Sequence, residues 1–330
     1  MKPSYTRREF LKRSTQLASG MFLTASLPAV ACGKKEPVAK TKVGLTQSPN
    51  LWTAKRLNQD ILCSMLDEGL KCTSGYDNPS KAWQSLFTRK DIVALKVNCI
   101  GKEMGSTKPQ LSHAIAKCLK SYVGIPYENI IIFDRYNKEL IRAGYAINTS
   151  NKGIQIYDTS DFSPPMQSGG IDTGLSTIIT KKCTALINVP LLKTHRGAKL
   201  TLNLKNHYGS IPMKVVQNSE LKFHSNDFQN IVFVNSLPPI KEKTRLCIAD
   251  GIVAQYDKGP MGNPDCQWNF NGIIAGKDPV AVDTVGLKII NEKRIEKNLK
   301  TYNVKYLRWA EEEGLGINNP DRIDVIQKTI

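Results

Sequence analysis

The chain has little that would announce a reaction. Its 330 residues include only four histidines, at 113, 195, 207 and 224, and 7% aromatics. None of its eight cysteines forms a C-x-x-C pair, and none has the spacing of a zinc or iron–sulfur site. No GxGxxG, GxSxG, HExxH or Walker sequence is present, so no common nucleotide, hydrolase or metalloprotease signature fixes a reaction class. No apolar run reaches the roughly 20 residues of a typical spanning helix. Acids are the scarce charge, 29 Asp plus Glu against 46 Lys plus Arg, giving +17. What is there, 41% hydrophobic and 23% charged, is ordinary for a folded chain and excludes a disordered, collagenous or multi-span protein. The length allows one large domain or two modest ones. The basic surplus suits an anionic membrane surface or anionic ligand, although surface lysines also serve solubility alone.

The first forty residues narrow the choice. Residues 6–12 read TRREFLK, followed by a small-residue apolar run from Leu17 to Ala31. The series resembles a twin-arginine export signal, with Arg7 and Arg8 as its pair, and every position of the S/T-R-R-x-F-L-K core is matched. The bland alternative is a basic amphipathic helix that opens the fold. Ala29-x-Ala31 suits an ordinary signal peptidase, whereas Ala31-Cys32-Gly33 before a polar stretch resembles a lipoprotein site with Cys32 acylated. The second reading makes residues 32–41 a solvated tether and anchors the protein to a membrane. Removal of residues 1–31 takes away five basic groups (Lys2, Arg7, Arg8, Lys12, Arg13) and Glu9, leaving +13. An exported chain without a basic-aromatic recognition motif is not expected to bind nucleic acid. The resemblance also implies the twin-arginine machinery as a partner and folding before export, a route compatible with a divalent metal or cofactor inserted inside the cell.

Short apolar runs alternate with helical patterns, which predicts an α/β domain with a mainly parallel sheet flanked by helices over residues 42–330. Expected strands are 42–45, 92–97, 129–133, 154–157, 185–189, 245–249, 272–275 and 323–326. Expected helices are 53–70, 109–123, 227–234, 279–290 and 304–313, with Pro109 and Pro279 in first turns. Polar residues follow five of the apolar runs: Asn98, Asp134, His195, Asp250 and Asp278. In open parallel sheets the loops beyond the carboxyl edge converge, so these residues are candidates for one cleft. Asp278 before Pro279 also reads as a helix cap, and Asp250-Gly251 as a turn. Cys63 and Cys72 are a conceivable pair that sequence cannot decide. His113 sits in an expected helix and reads as structural.

Residues 190–212 are the unusual segment, with Lys193, His195, Arg196, Lys199, Lys205 and His207 inside fifteen positions beside Gly197 and Gly209. A helix over 199–208 would put Thr201 and Lys205 on one face. Such a cluster just past a buried strand suits gripping a carboxylate or phosphate, or a metal through imidazole. The rival reading is a solvated charge run.

These residues carry a wider resemblance. LKVN at 95–98, NVPLLKTH at 188–195, LKNHYG at 204–209, ADGI at 249–252, GPMG at 259–262 and AGKDPVAVD at 275–283 occur in order. Together they resemble the prokaryotic family catalogued as domain of unknown function 362, over about residues 90–290. The resemblance implies an exported protein, and some members carry an added ferredoxin-like iron–sulfur module whose cysteine series is missing here. Lys108-Pro109 stands where many members have His-Pro, so a role for that histidine does not transfer. The positions that do transfer are Lys193, Thr194, His195, Lys205, Asn206, Asp250, Gly251, Gly259, Pro260, Asp278 and Asp283.

Two function classes follow. In an enzyme or cofactor-dependent protein, Lys193 and Lys205 would clamp an anion and His195 would exchange a proton. Asp250 or Asp278 would orient that imidazole or hold a divalent metal, while Thr194, Asn206 and Asn98 would line the ligand. In a binding or scaffold lipoprotein the same pocket would act without turnover. Arg7→Lys with Arg8→Lys is expected to leave the protein inside the cytoplasm, read by cell fractionation. Cys32→Ala is expected to move it from the membrane to the soluble fraction, and a wild type that is already soluble would mean cleavage at Ala31.

Overall fold

Val-, Ile- and Leu-rich runs without polar alternation need cover on both faces. Residues 93–97, 130–134, 185–189 and 272–276 are such runs, and each is buried along its whole length. The structure, a computed structural model, describes residues 40–218, 223–224 and 228–330. The expected signal, with Arg7 and Arg8, and Cys32 lie outside the described residues. Among the described residues no helix is long and apolar enough to cross a membrane.

One sheet organises the unit Ala39–Ile330. Its strands are β1 (Thr41–Gln47), β2 (Val93–Val97), β3 (Ile130–Asp134), β4 (Gln155–Asp158), β5 (Ala185–Val189), β6 (Leu191–His195), β7 (Lys199–Thr201), β8 (Thr244–Gln255), β9 (Gln267–Trp268), β10 (Gly272–Gly276) and β11 (Ile323–Thr329). The main path runs β11-β1-β10-β8-β5-β2-β3-β4, with β6 and β9 paired to β8 and β7 to β6. From β8 to β4 every neighbour is parallel. β10 is the exception, antiparallel to both β1 and β8. The fold is thus α/β with a mainly parallel sheet flanked by helices.

Alternation sorts side chains to the two faces. Val93, Leu95, Ile130, Ile132, Ala185 and Ile187 join one core beneath helices Gln59–Ser74 and Pro109–Cys118. Ala94, Ile131, Phe133 and Leu186 join the other, beneath helix Pro279–Glu296 and the segment after β7. Lys96 and Asn188 point to this second face, and the site described below is built there.

The first helix begins at Gln59 and not near 53, because a small hairpin of Trp52–Thr53 with Arg56–Leu57 occupies the approach. Asn58 caps it by accepting from the N–H groups of Asp60 and Ile61. The segment 199–208 is not one helix. Lys199–Thr201 pairs with β6, and only Asn203–Asn206 makes a helical turn. Cys63 and Cys72 are both free thiols, and Cys63 hydrogen-bonds Cys118.

Gly44 in β1 marks a close helix–sheet approach on the first face. A Cβ there would lie 2.6 Å from the Gly69 carbonyl oxygen and 3.0 Å from Cys72 Cβ. Gly44→Ala is therefore expected to cost about 1–3 kcal/mol by overpacking, measured as a lower midpoint in urea unfolding.

Candidate functional site

A cavity of about 100 Å³ opens where β2, β3 and β6 end, closed above by residues 205–216 and by Pro260. Lys96 lies at its base and is fully buried. Its ammonium donates to Asp134 Oδ1 at 2.7 Å, Val97 O at 2.8 Å and Asn206 Oδ1 at 3.3 Å, so all three protons have acceptors. Asp134 Oδ2 accepts from the Cys99 N–H, which fixes the turn after β2. Arg135 and Glu139 form a second ion pair on the wall.

Lys205 is different. It stands 9% exposed on the same wall. It has neither a carboxylate nor a hydrogen-bond acceptor among the described residues; its ammonium lies 3.8 Å from the centre of the Tyr208 ring. Burial first, then the charges of Arg135 and Lys193, pull its pKa down to about 7. Asn98 offers the complement. Its Nδ2 donates to Asn206 Oδ1, while its buried Oδ1 has no partner among the described residues. Asn206 uses its own Nδ2 on Lys96 O and Asn188 Oδ1, so its Oδ1 must accept, and that fixes which way the Asn98 amide faces.

His195 ends β6 on the cavity wall. Its Nδ1 accepts from the N–H groups of Gly197 and Ala198 at 3.1 and 3.0 Å. Those two donors place the ring proton on Nε2, and burial followed by the charge of Lys205 lowers its pKa to about 3. His195 is therefore a neutral donor at physiological pH. His224 completes the aromatic side, edge-on to Tyr208 and Phe228.

Of the residues expected from the sequence, Asn98, Asp134, His195, Lys205 and Asn206 line this cavity together, with Thr201 and Pro260. Lys193 and Thr194 sit beside it without lining it. The Lys193 ammonium, fully buried and lowered to about 7 chiefly by burial, donates to Gly105 O at 2.6 Å. Thr194 Oγ1 accepts from the Gly259 N–H, and a Cβ on Gly259 would fall 1.8 Å from Thr194 O. The glycine is thus required for the chain bearing Pro260 to close over the site.

The two aspartates do not converge here, and the expectation for them is corrected. Asp278 follows β10, which runs against its neighbours, so it lies at the opposite edge of the sheet. There it caps helix Pro279–Glu296 through the N–H groups of Val280 and Ala281, and it also accepts from Ile317 N. Asp250 is not at a strand end, because β8 continues to Gln255. Its carboxylate, raised to about 6 by burial, accepts from Lys108 N and Ile252 N on the other face. His207, fully buried, bridges Asn188 and Ser210 and is structural. The sequence reading missed Lys96, Arg135 and Glu139. A lysine inside the apolar run VALKV was the available signal for the first.

Among the described residues no three His, Cys, Asp or Glu side chains group closely enough to hold a metal. The family model described as domain of unknown function (DUF362) matches residues 93–288, more than half of the chain. A crystal structure of a Thermotoga maritima protein is similar at 8% identity and a TM-score of 0.38. That match covers 78% of this chain and 59% of that one, so this chain spans less than two thirds of its length. No curated protein matches.

Asp283, near the end of the matched span, holds the wall in place from helix Pro279–Glu296. Its oxygens accept from Asn203 N and Nδ2 at 2.8 and 2.9 Å and from Leu204 N at 3.1 Å. This cap fixes the turn that presents Lys205 and Asn206. Asp283→Ala leaves buried donors without partners, at about 1–3 kcal/mol each. The expected result is a large fall in the unfolding midpoint together with loss of any ligand that depends on Lys205.

Proposed function

The chain belongs to the family described as domain of unknown function (DUF362), and from that premise we propose that it is an exported, membrane-anchored protein that binds a small organic anion in the carboxyl-edge cleft. The export and anchoring part rests on the TRREFLK segment and on Cys32. The binding part rests on one observation. Among the described residues Lys205 is a buried ammonium without a counter-charge, facing a cavity whose other cations, Lys96 and Arg135, already hold carboxylates. An anion would balance Lys205 and accept from His195 Nε2–H, and a hydroxyl or amine on the same ligand would satisfy Asn98 Oδ1.

A metal suits the same wall less well. Asp134 and Glu139 each face a cation, and His195 Nδ1 already accepts two N–H groups. A carrier and an enzyme would use the same contacts. What favours chemistry is a buried lysine brought to about 7 on a cavity wall, a group able to take up and return a proton next to the bound anion. In that role Lys205 replaces His195, whose ring is held as a donor.

Sulfate is a suitable probe because its charge is constant near neutrality. In the free protein Lys205 is protonated below about 7, so affinity should be flat there. The bound anion raises the lysine's pKa, so affinity should fall as pH rises above about 7, by at most about tenfold per unit for one proton. Arg135, Lys193 and the neutral His195 and His224 surround it; of these only Lys193, also near 7, adds to the slope. Calorimetry should show weak binding in Lys205→Met, with only the shallower pH dependence that Lys193 supplies. Equal sulfate affinity in wild type and Lys205→Met would overturn the proposal.

A further inference from the structure

A second, larger cavity of about 830 Å³ adjoins the first. The two share Arg135 and Met213, whose Nη1 and Sδ are 3.2 Å apart and form the partition between them. The larger space lies beyond the carboxyl ends of β3 and β4, against the hairpin of Met166–Ser168 with Ile171–Thr173. Its lining carries Arg135, already paired with Glu139, and Lys214 beside Asp158 and Asp172, so it has no surplus of positive charge, and Phe162, Ile211 and Val215 give it apolar surface. Two polar atoms at its boundary are buried and without partners among the described residues, Arg135 Nε and Thr159 Oγ1, and Thr159 is only 4% exposed. A buried polar atom left unpaired in a native structure calls for an explanation, and a ligand atom brought to that wall supplies one.

We infer that the two cavities form one bipartite site, in which an anionic head group meets Lys205 and a neutral, partly apolar body lies in the larger cavity across Arg135 and Met213. The inference rests on the anion reading of the smaller cavity and adds what the anion is attached to. The space is within the range of drug-sized ligand pockets, and a free inorganic anion would leave it unused. The unbranched thioether of Met213, partly buried at the edge of the core and touched by a weak N–H···S contact, is flexible enough to yield to a ligand passing between the two parts. The substrate class is therefore a phosphomonoester or carboxylate of a ring-sized organic body, which hydrogen-bonds Thr159 Oγ1 and Arg135 Nε from the body side.

Calorimetry with inorganic phosphate and phenyl phosphate tests this on the whole protein. Phenyl phosphate is expected to bind at least tenfold more tightly. Phe162→Ala and Ser160→Trp, the first removing an apolar contact and the second crowding the cavity from an exposed position, should each abolish most of that gain. Both variants should bind inorganic phosphate within twofold of wild type. Equal affinity for the two probes, or a gain that survives both variants, would overturn the bipartite site and leave the anion site standing. No Lys205-dependent binding of either probe would remove both readings together.

Discussion

The fully buried ammonium of Lys96 is the interaction on which the site depends. A cation taken from water is costly unless its protons find acceptors and its charge a partner, and here both conditions are met. The acceptors come from three places: its own strand's Val97 O, Asp134 at the end of β3, and Asn206 after β7. One ammonium thus ties β2, β3 and the turn Asn203–Asn206 at a single point. Asp134 then fixes Cys99 N, and Asn206 reaches on to Asn188 in β5. Gly209 must pass over this ion pair, since a Cβ would lie 2.9 Å from Lys96 Nζ and 3.0 Å from Asp134 Oδ1.

Set against that satisfied lysine, Lys205 shows what kind of charge the cleft lacks. Both lysines line the same cavity, yet among the described residues only Lys96 has a carboxylate. The protein accepts the cost by letting Lys205 approach neutrality at about 7, with burial the main cause and Arg135 and Lys193 adding repulsion. A group in that condition responds to an arriving negative charge more strongly than a solvated lysine, because the field in a cavity is weakly screened. The basic composition of the chain has no bearing on this; one lysine without a carboxylate among the described residues of a cavity wall does.

The expected strands matched the observed ones closely because two-sided burial leaves an unmistakable run of apolar residues. Strand direction leaves no such mark. GIIAG looks the same whether β10 runs with or against β8, so Asp278 could not be assigned to an edge from the sequence. Strand length misled similarly for Asp250, which reads as a turn beside glycine but lies inside the twelve residues of β8. β6 was missed because Pro190 separates it from β5 by one residue, and a run broken by proline reads as an ending. The histidine–lysine segment was legible as a site because glycines and charges beside a buried strand are unusual together. Its partners Arg135 and Glu139 were not, since a residue following a strand-end aspartate carries no signal of its own.

The family-like motifs contain three aspartates, and their shared use separates the scaffold from the site. Each directs its carboxylate to backbone N–H groups: Asp250 to Lys108 and Ile252, Asp278 to Val280, Ala281 and Ile317, Asp283 to Asn203 and Leu204. None is left to neutralise Lys193 or Lys205. Carboxylates committed in this way hold the ends of helices and the β7 turn in register, which keeps the lysines where they are without cancelling their charge. Had any of the three faced Lys205, the cleft would be electrically complete and an anion would have nothing to balance. The acidic residues of the motif series therefore act by their absence from the cavity, and the positive character of the site is a consequence of where the sheet sends its aspartates.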